Sequence, residues 1–212
     1  MNASAEDLAA VIRAQGIRDA RLLEAIRAVP RAGFVPPQLS GRAYVDEPLP
    51  IGRDQVTTQP SLVARMVEAL ELRGSERVLE VGTGFGWQTA LLGRLAARVW
   101  SVERWPELAE AARERLERSG AANVSVVVGD GSEGLPEHAP YDAILVSAAF
   151  PLVPATLVAQ LTDGGRLVHP LGEGGDEEVV LFEKRGGDLT RRRTLTRARF
   201  VRLYGREAFP LD

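Results

Sequence analysis

Apolar residues at helical spacing occupy the first part of the chain. Their spacing predicts two short helices in residues 5–29, separated at Gly16 and ended at Pro30. A third helix is predicted in residues 61–72, where the helical spacing of apolar residues returns. The residues that carry the first two helices are Leu8, Val11, Ile12, Leu22, Leu23, Ile26 and Val29.

Residues 31–60 contain many prolines and glycines and show neither helical nor alternating spacing. We expect an irregular segment here. It is longer than the loops that simply connect two elements in a compact domain, so the sequence favours a functional segment or a cap over a site.

From residue 77 onward, short segments with strand character alternate with helical ones. Strands are predicted at 78–81, 99–102, 124–128, 143–147 and 166–169, and helices at 87–97, 106–119 and 154–161. This alternation is typical of an α/β fold with a mostly parallel sheet and helices on both faces. Segments 178–184 and 194–203 flank Arg185-Gly186-Gly187-Asp188 and predict an antiparallel hairpin at the C-terminal end.

Composition narrows the class of protein. The 212 residues are 45% hydrophobic and 26% charged, which is typical of a globular domain large enough to bury a core. A net charge of −3 gives no indication of a nucleic-acid or membrane partner, and the absence of cysteine excludes disulfides and thiolate chemistry. Without an apolar run of about 20 residues or a secretory pattern, we expect a cytoplasmic protein.

Two further features exclude or weaken other functions. The two histidines, His138 and His169, lie in a loop and at a predicted strand end, so neither a metal site nor a Ser-His-Asp set is expected. Five arginines in residues 191–199 form a basic run. A solvated strand edge explains this run better than a nucleic-acid patch.

A strand, a glycine turn and a helix follow one another in residues 78–97. The turn is Glu80-Val81-Gly82-Thr83-Gly84-Phe85-Gly86, and such turns form nucleotide sites at the carboxyl edge of an α/β sheet. Its glycines are spaced G-x-G-x-G, which differs from the pattern of pyrophosphate binders. A carboxylate at Glu80 suits a ligand with positive charge. The alternative is a tight turn that binds no ligand.

Two further acids follow predicted strands. Glu103 ends the second strand of the alternating region, where an acid can accept hydrogen bonds from ribose hydroxyls; the alternative is a helix N-terminal acid ahead of Pro106. Asp130, followed by Gly131, lies where an acid can accept from a base amine; the alternative is an ordinary Asp-Gly turn. With Glu80, these acids favour a cationic nucleoside over a diphosphate.

These motifs resemble the cofactor motifs of class I S-adenosylmethionine methyltransferases. Matches along the whole chain, in the correct order, further resemble the protein-L-isoaspartate O-methyltransferase family. They are Arg13-Ala14-Gln15-Gly16-Ile17, Ala28-Val29-Pro30-Arg31, Leu49-Pro50-Ile51-Gly52, Gln59-Pro60, Pro140-Tyr141-Asp142-Ala143-Ile144, Gly164-Gly165-Arg166-Leu167 and Phe200-Val201-Arg202-Leu203.

The resemblance implies a Rossmann-like fold. Residues 1–60 would form N-terminal helices and a Pro-rich substrate cap, packed on a methyltransferase core of residues 61–212 in one compact unit. The implied reaction moves a methyl group from S-adenosylmethionine to the free α-carboxylate of L-isoaspartyl residues in age-damaged proteins, with S-adenosylhomocysteine as product. We expect a monomer without metal, nucleic-acid or membrane partners.

The resemblance also implies roles for individual residues. Glu80 and Gly82 would meet the methionine portion of the cofactor, Glu103 its ribose, and Asp130 with Gly131 its adenine. Thr58 falls at the active-site serine of the family and is the catalytic candidate. The complete cofactor set is Ile51, Gly52, Arg53, Asp54, Thr58, Glu80, Gly82, Thr83, Gly84, Gly86, Glu103, Asp130 and Gly131. The substrate set is Val56, Thr57, Ala148, Val201 and Leu203.

Three residues depart from the family pattern: Thr58 replaces serine, Asp54 replaces a small or amide residue, and Arg202 replaces proline. They leave open a methyltransferase of the same fold that acts on a different carboxylate or peptide. An NAD-dependent oxidoreductase and a non-catalytic cofactor-binding module are further alternatives. The glycine spacing and Glu80 argue against the oxidoreductase.

Overall fold

The structure is a computed structural model that describes residues 3–210. Its helices are α1 (Ala5–Ala14), α2 (Ala20–Ala28), α3 (Pro60–Ala69), α4 (Trp87–Leu95), α5 (Pro106–Arg118) and α6 (Ala155–Gln160). Its strands are β1 (Leu49–Gly52), β2 (Gln55–Thr57), β3 (Arg77–Val81), β4 (Arg98–Glu103), β5 (Val124–Val128), β6 (Tyr141–Val146), β7 (Leu161–Leu171), β8 (Glu177–Arg185) and β9 (Asp188–Ala198). Short 3₁₀ helices span Arg31–Phe34, Pro37–Arg42 and Pro136–His138.

Seven strands form the central sheet in the order β5-β4-β3-β6-β7-β8-β9. The first five of these are parallel, and β8 and β9 add to the β7 edge in antiparallel orientation. The predicted α/β class, parallel sheet and C-terminal hairpin are therefore confirmed. The chain runs outward from β3 to β5 and then returns to the other side of β3 with β6. This reversal leaves a crevice at the carboxyl ends of β3, β4 and β6.

Alternate residues of the strands feed two apolar clusters, one on each face of the sheet. Val78 and Leu145 belong to the larger cluster, which also holds apolar residues of α1 to α5. Leu79 and Ile144 belong to the other cluster, with Leu157 of α6. Helices therefore cover both faces, as the alternation of elements predicts.

The two N-terminal helices begin at side-chain caps. Ser4 and Asp7 form a reciprocal capping box at α1, and the Asp19 carboxylate accepts the amides of Arg21 and Leu22 at α2. Such caps satisfy amides that have no partner inside the helix. The bounds of α1 and α2 agree with the prediction for residues 5–29.

The Pro-rich segment is more ordered than its sequence predicts. It contains two 3₁₀ helices and the antiparallel ribbon of β1 and β2, in which Leu49 pairs with Thr57. Hydrogen bonds from a buried side chain, Arg31, connect the backbone of this segment. Such hydrogen bonds between a side chain and distant backbone of the same segment leave no periodic signal in the sequence.

The hairpin differs in detail from the prediction. Strand β9 begins at Asp188 instead of residue 194, because Gly186 and Gly187 have φ of 58° and 91° and form a two-residue turn. The strand ends at Ala198, so residues 199–203 leave the hairpin. They pair instead with Ala149, whose amide donates to the Val201 carbonyl and whose carbonyl accepts from the Leu203 amide, both at 2.7 Å.

Other bounds shift by smaller amounts. Strand β7 begins at Leu161, five residues before the predicted start, and shortens the preceding helix to Ala155–Gln160. Among the helices of residues 3–210, none has the length and apolarity needed to cross a membrane.

Candidate active site

A cavity lies at the crevice formed by the ends of β3, β4 and β6. The β1–β2 ribbon and residues 201–204 also line it. It brings together most of the residues that the sequence predicts for the site, from distant parts of the chain. These are Ile51, Val56, Thr57, Thr58, Gly82, Thr83, Gly84, Gly86, Glu103, Gly131, Ala148, Val201 and Leu203. Gly52, Arg53, Asp54, Glu80 and Asp130 do not line it.

The glycine turn presents bare backbone to the cavity. Gly82, Gly84 and Gly86 have φ of 95°, 55° and 89°, a left-handed region that glycine adopts without strain. The Gly82 amide donates to the Val102 carbonyl at 2.9 Å and ties the turn to β4. A ligand at this turn would therefore meet main chain at the start of α4.

Glu103 ends β4 and is only 5% exposed, yet it lines the cavity. Its Oε2 accepts the Gly84 amide at 2.9 Å and its Oε1 accepts the Trp105 amide at 3.1 Å. Burial raises the pKa of Glu103, and these backbone hydrogen bonds oppose the rise. Each carboxylate oxygen retains acceptor capacity, which suits a ligand with neighbouring hydroxyls.

Glu80 lies behind the wall of the cavity, fully buried. Its carboxylate accepts hydrogen bonds from Gln88, Thr89 and Ser101. Burial raises the pKa of Glu80 to about 7, although those hydrogen bonds favour the ionised form. We expected Glu80 to contact a ligand directly. In this arrangement the two oxygens of Glu80 instead contact the side chains of Gln88, Thr89 and Ser101.

Gln88 is the residue through which Glu80 reaches the cavity, and sequence reasoning missed it. The Gln88 Nε2 donates to Glu80 Oε1 and to Ser147 Oγ, both at 2.9 Å. Its Oε1 is buried and has no hydrogen-bond partner within residues 3–210. The Gln88 side chain lines the cavity, and this oxygen is left without a partner in the described part of the chain. The polar pair Gln88-Thr89, directly after the glycine turn at the start of α4, was the available signal.

Asp130 supports the loop instead of lining the cavity. Its carboxylate accepts from the amide and hydroxyl of Ser132 and from the Arg206 amide. Burial opposes ionisation, but these hydrogen bonds outweigh it and lower the pKa of Asp130. The contacts of Asp130 are thus those of the Asp-Gly turn given above as the alternative. Its hydrogen bond to the Arg206 amide also connects the C-terminal segment to this loop. Gly131 does line the cavity, and a Cβ there would lie 2.4 Å from Val81 Cγ1.

The turn of the β1–β2 ribbon also lies outside the lining. Arg53 and Asp54 have φ of 53° and 55°, a left-handed conformation that is strained in residues other than glycine. Arg53 pairs with Glu107 at the start of α5, and its guanidinium lies 5.0 Å from the centre of the Trp105 ring. These contacts connect the ribbon to the far side of the crevice.

On the ribbon side, Thr57 and Thr58 line the cavity above Arg31. The Arg31 Nη2 donates to the Thr57 hydroxyl at 2.8 Å, and the Leu49 amide donates to the same oxygen at 3.1 Å. Burial lowers the pKa of Arg31 to about 10, so it is still charged at neutral pH. Arg31 was noted in the sequence only as part of a motif.

The remaining polar candidates lie away from the cavity. His169 is buried inside β7, which continues to Leu171, and burial lowers the pKa of His169 to about 4. His138 stacks on Trp100 at 5.0 Å. Within residues 3–210, no group of three or more His, Cys, Asp or Glu side chains is arranged to hold a metal. The basic run lies on and just after β9, where Arg191, Arg192 and Arg197 pair with acids.

The sheet order, the glycine turn at the point where the order reverses, and the acid at the end of β4 define a Rossmann-like class I methyltransferase. Comparison with known families is more specific. The model of the family described as "Protein-L-isoaspartate(D-aspartate) O-methyltransferase (PCMT)" matches residues 3–208. The chain belongs to this family, and the resemblance seen in its sequence is confirmed.

Individual relatives agree. The chain is 57% identical over 183 residues to the protein-L-isoaspartate O-methyltransferase of Anaeromyxobacter dehalogenans, covering 86% of this chain and 88% of that protein. It is 46% identical over 219 residues to protein-L-isoaspartate O-methyltransferase 2 of Marinobacter nauticus, covering 99% and 100%.

Solved structures share the fold. A protein-L-isoaspartate O-methyltransferase superposes with a TM-score of 0.83 at 30% identity, covering 96% of this chain and 67% of that one. A Plasmodium falciparum structure, described as a putative member of the same family in complex with S-adenosyl-L-homocysteine, gives a TM-score of 0.80 at 20% identity. It covers 95% of this chain and 98% of its own, and at that identity it supports the fold alone.

Proposed function

We propose that this chain moves the methyl group of S-adenosylmethionine to the free α-carboxylate of an L-isoaspartyl residue in damaged proteins. Its family supports the assignment: members carry the name protein-L-isoaspartate O-methyltransferase. The observation that carries the proposal is a two-sided cavity. One side holds the glycine turn and Glu103, and the other holds Thr57, Thr58 and residues 201–203.

The sheet side of the cavity fits the cofactor. Glu103 offers carboxylate acceptors for ribose hydroxyls, and the unpartnered Gln88 Oε1 offers an acceptor for an ammonium group. Gly82 and Gly84 leave room for the ligand beside the backbone, and Gly131 does so near the proposed adenine position. When bound, S-adenosylmethionine supplies a methyl group activated by the positive charge of its sulfonium.

Some of the predicted cofactor residues line the cavity, and others are proposed to act through a neighbouring residue. Ile51, Thr83 and Gly86 line the cavity and remain proposed contacts. Glu80 is proposed to act through Gln88, and Asp130 through the position of Gly131. Gly52, Arg53 and Asp54 are proposed to hold the ribbon in place by the pairing of Arg53 with Glu107.

The ribbon side fits a carboxylate substrate. A carboxylate with a pKa of about 4 is already an anion at pH 7, so the chain needs no general base for this transfer. What its residues must do is align the attacking oxygen and exclude water. We assign the alignment to the Thr58 hydroxyl, which donates a hydrogen bond, and the enclosure to Val56, Ala148, Val201 and Leu203.

We also propose that residues 1–60 and 61–212 act as one compact unit, of which residues 1, 2, 211 and 212 lie outside the described part. Its support is an apolar cluster that contains Ile26 of α2 and Leu91 of α4. We further propose that the chain works as a monomer in the cytoplasm, without nucleic-acid or membrane partners. The expectation of no nucleic-acid partner is supported by the basic run, in which Arg191, Arg192 and Arg197 are paired with acids of the same chain.

The direct test uses two peptides that differ only in one linkage. Purified protein with methyl-labelled S-adenosylmethionine should label a peptide with an L-isoaspartyl residue and leave its aspartyl twin unlabelled. Equal labelling of both peptides would exclude the repair assignment. Calorimetric binding of S-adenosylhomocysteine, measured in parallel, separates loss of transfer from loss of the cofactor site.

A further inference from the structure

Arg31 is a buried cation without an ion-pair partner among the described residues. Its side chain is 1% exposed. The guanidinium donates to the carbonyls of Ala43, Val45 and Glu47 at 3.0 to 3.1 Å. It also lies 5.6 Å from the centre of the Trp87 ring.

The acids near Arg31 are engaged elsewhere. The Glu47 carboxylate pairs with Arg42 at 2.7 Å. The Asp46 carboxylate accepts from Ser61, Gln59 and Gln15. Asp46 and Glu47 still attract Arg31 through space, but neither carboxylate contacts it. Burying a cation without a direct ion pair costs folding free energy, even when neutral acceptors surround it. A negatively charged ligand nearby would recover part of that cost.

Thr57 lines the cavity and is hydrogen-bonded to this cation. Its oxygen accepts from Arg31 Nη2 at 2.8 Å and from the Leu49 amide at 3.1 Å, so both of its acceptor positions are occupied. Its own hydrogen has no acceptor among the hydrogen bonds of the described residues. A hydroxyl that accepts from a cation becomes a stronger donor. Thr57 lines the cavity, so a residue of the site carries this unused donor.

We propose that Thr57, polarised by Arg31, donates its hydroxyl hydrogen to the substrate carboxylate and makes the site select a carboxylate over a neutral carboxamide. This inference rests on the proposed function. Arg31 is then a positioning residue, and Thr57 is the group that touches the substrate. The two threonines then bind different oxygens of the substrate carboxylate. Thr58 aligns the oxygen that attacks the methyl group, and Thr57 donates to the other oxygen.

Placing one hydroxyl between the cation and the substrate has a chemical advantage. A direct ion pair with Arg31 would stabilise the carboxylate in its ground state and reduce its nucleophilicity. Through Thr57, the cation favours binding of an anion while leaving the attacking oxygen its charge. The hydroxyl keeps its hydrogen throughout, because a carboxylate that gains a methyl group at the expense of a sulfonium becomes a neutral ester without proton transfer.

The test compares two ligands on three proteins. The ligands are an isoaspartyl peptide and the same peptide with its isoaspartyl α-carboxylate converted to a carboxamide, each titrated in the presence of S-adenosylhomocysteine. The proteins are the wild type, Thr57→Val and Thr57→Ser. We expect the wild type to bind the carboxylate peptide about tenfold more tightly than the carboxamide, the scale of one charge-assisted hydrogen bond. Thr57→Val should lose most of this preference, because only Thr58 then donates to the carboxylate, and Thr57→Ser should keep it.

Kinetics supply the second readout. Thr57→Val should raise the KM for the isoaspartyl peptide by about tenfold, as expected for a lost binding contact, while affinity for S-adenosylhomocysteine stays within about twofold. Thr57→Ala is measured beside it. The result is taken from whichever truncation retains that cofactor affinity, so a misfolded variant cannot decide the outcome.

The possible results separate the two proposals. If the wild type methylates the isoaspartyl peptide and the truncated variant prefers the carboxylate as strongly as the wild type does, this inference is overturned and the proposed function stands. Failure of Thr57→Ser to keep the preference would also overturn it. A wild type that methylates no isoaspartyl peptide overturns the proposed function, and the inference falls with it.

Discussion

The carboxylate of Glu103 and the amide of Gly84 are joined by a hydrogen bond of 2.9 Å between the end of β4 and the glycine turn after β3. This bond connects two neighbouring strand ends and fixes the direction of the carboxylate. The same carboxylate accepts the Trp105 amide, so its orientation is set from both sides. The acid is therefore preorganised before any ligand binds.

Replacing Glu103 should weaken the cofactor site. In Glu103→Ala we expect S-adenosylmethionine binding to weaken by about 1–3 kcal/mol, the scale of hydrogen bonds to a charged group. Isothermal titration calorimetry measures the change. Glu110→Ala, which removes an exposed acid from the helix that follows, α5, is the matched control and should leave the affinity unchanged. Equal affinities for the two variants would remove Glu103 from the cofactor site.

Thr58 should affect turnover and not cofactor affinity. In Thr58→Ala the hydroxyl that aligns the carboxylate is lost, and we expect kcat to fall about tenfold or more while S-adenosylhomocysteine binds as before. Thr58→Ser retains the hydroxyl and should retain most of the turnover. Steady-state methylation of an isoaspartyl peptide provides the measurement, and a full rate in Thr58→Ala would contradict the assigned role.

Glu80 should make the protein less stable as the pH rises. Burial raises the pKa of Glu80 to about 7 from 4.5, so the folded protein holds this proton more tightly than the unfolded chain does. Its stabilising contribution is complete below pH 4.5 and is lost as the pH rises through about 7. Between these limits, the free energy of unfolding of the wild type should fall relative to Glu80→Gln by on the order of 3 kcal/mol.

Urea unfolding of both proteins across this pH range tests the prediction. The glutamine is neutral at every pH and keeps a side-chain oxygen for the hydroxyls of Thr89 and Ser101. A constant difference between the two unfolding curves would mean that the pKa of Glu80 is not raised.

His169 should have the opposite effect. Burial lowers the pKa of His169 to about 4 from 6.5, so the unfolded chain takes up the proton first as the pH falls. Its contribution is complete above pH 6.5 and is lost as the pH falls through about 4. Relative to His169→Gln, the wild type should lose on the order of 3 kcal/mol of unfolding free energy over that range. Titration of the His169 ring followed by NMR provides an independent check, and a pKa near 6.5 would contradict the prediction.

A methyl group at residue 131 should damage the site. The Cβ of Gly131→Ala would lie 2.4 Å from Val81 Cγ1, so either the loop or the end of β3 must move. We expect a loss of about 1–3 kcal/mol in unfolding free energy, the usual cost of overpacking, together with weaker cofactor binding. Gly41→Ala is the control, because no heavy atom lies within 4 Å of its added Cβ. Gly131→Ala should melt at a clearly lower temperature than Gly41→Ala. Equal melting temperatures would show that the loop accommodates the added methyl group without loss of stability.

Much of the fold could be predicted from local patterns. Alternating strand and helix segments identified the parallel sheet, and the turn at Gly186 and Gly187 identified the hairpin. The start of β9 and the extent of β7 were predicted less well. Both depend on pairing with a neighbouring strand, and the register of that pairing is not a local property of either segment.

For the site, the sequence by itself determined that a glycine turn and strand-end acids meet at one edge of the sheet, because parallel strands end together. Only the tertiary structure decided their roles. The register of β3 against β4 sets Glu80 opposite Ser101 and turns its carboxylate into the protein, whereas Glu103 reaches the cavity. Arg31 and Thr57 meet across 26 residues, a contact that no periodicity encodes. The physical reason is that an ionisable side chain takes its role from the partners and burial that packing gives it, and packing joins residues that are distant in the chain.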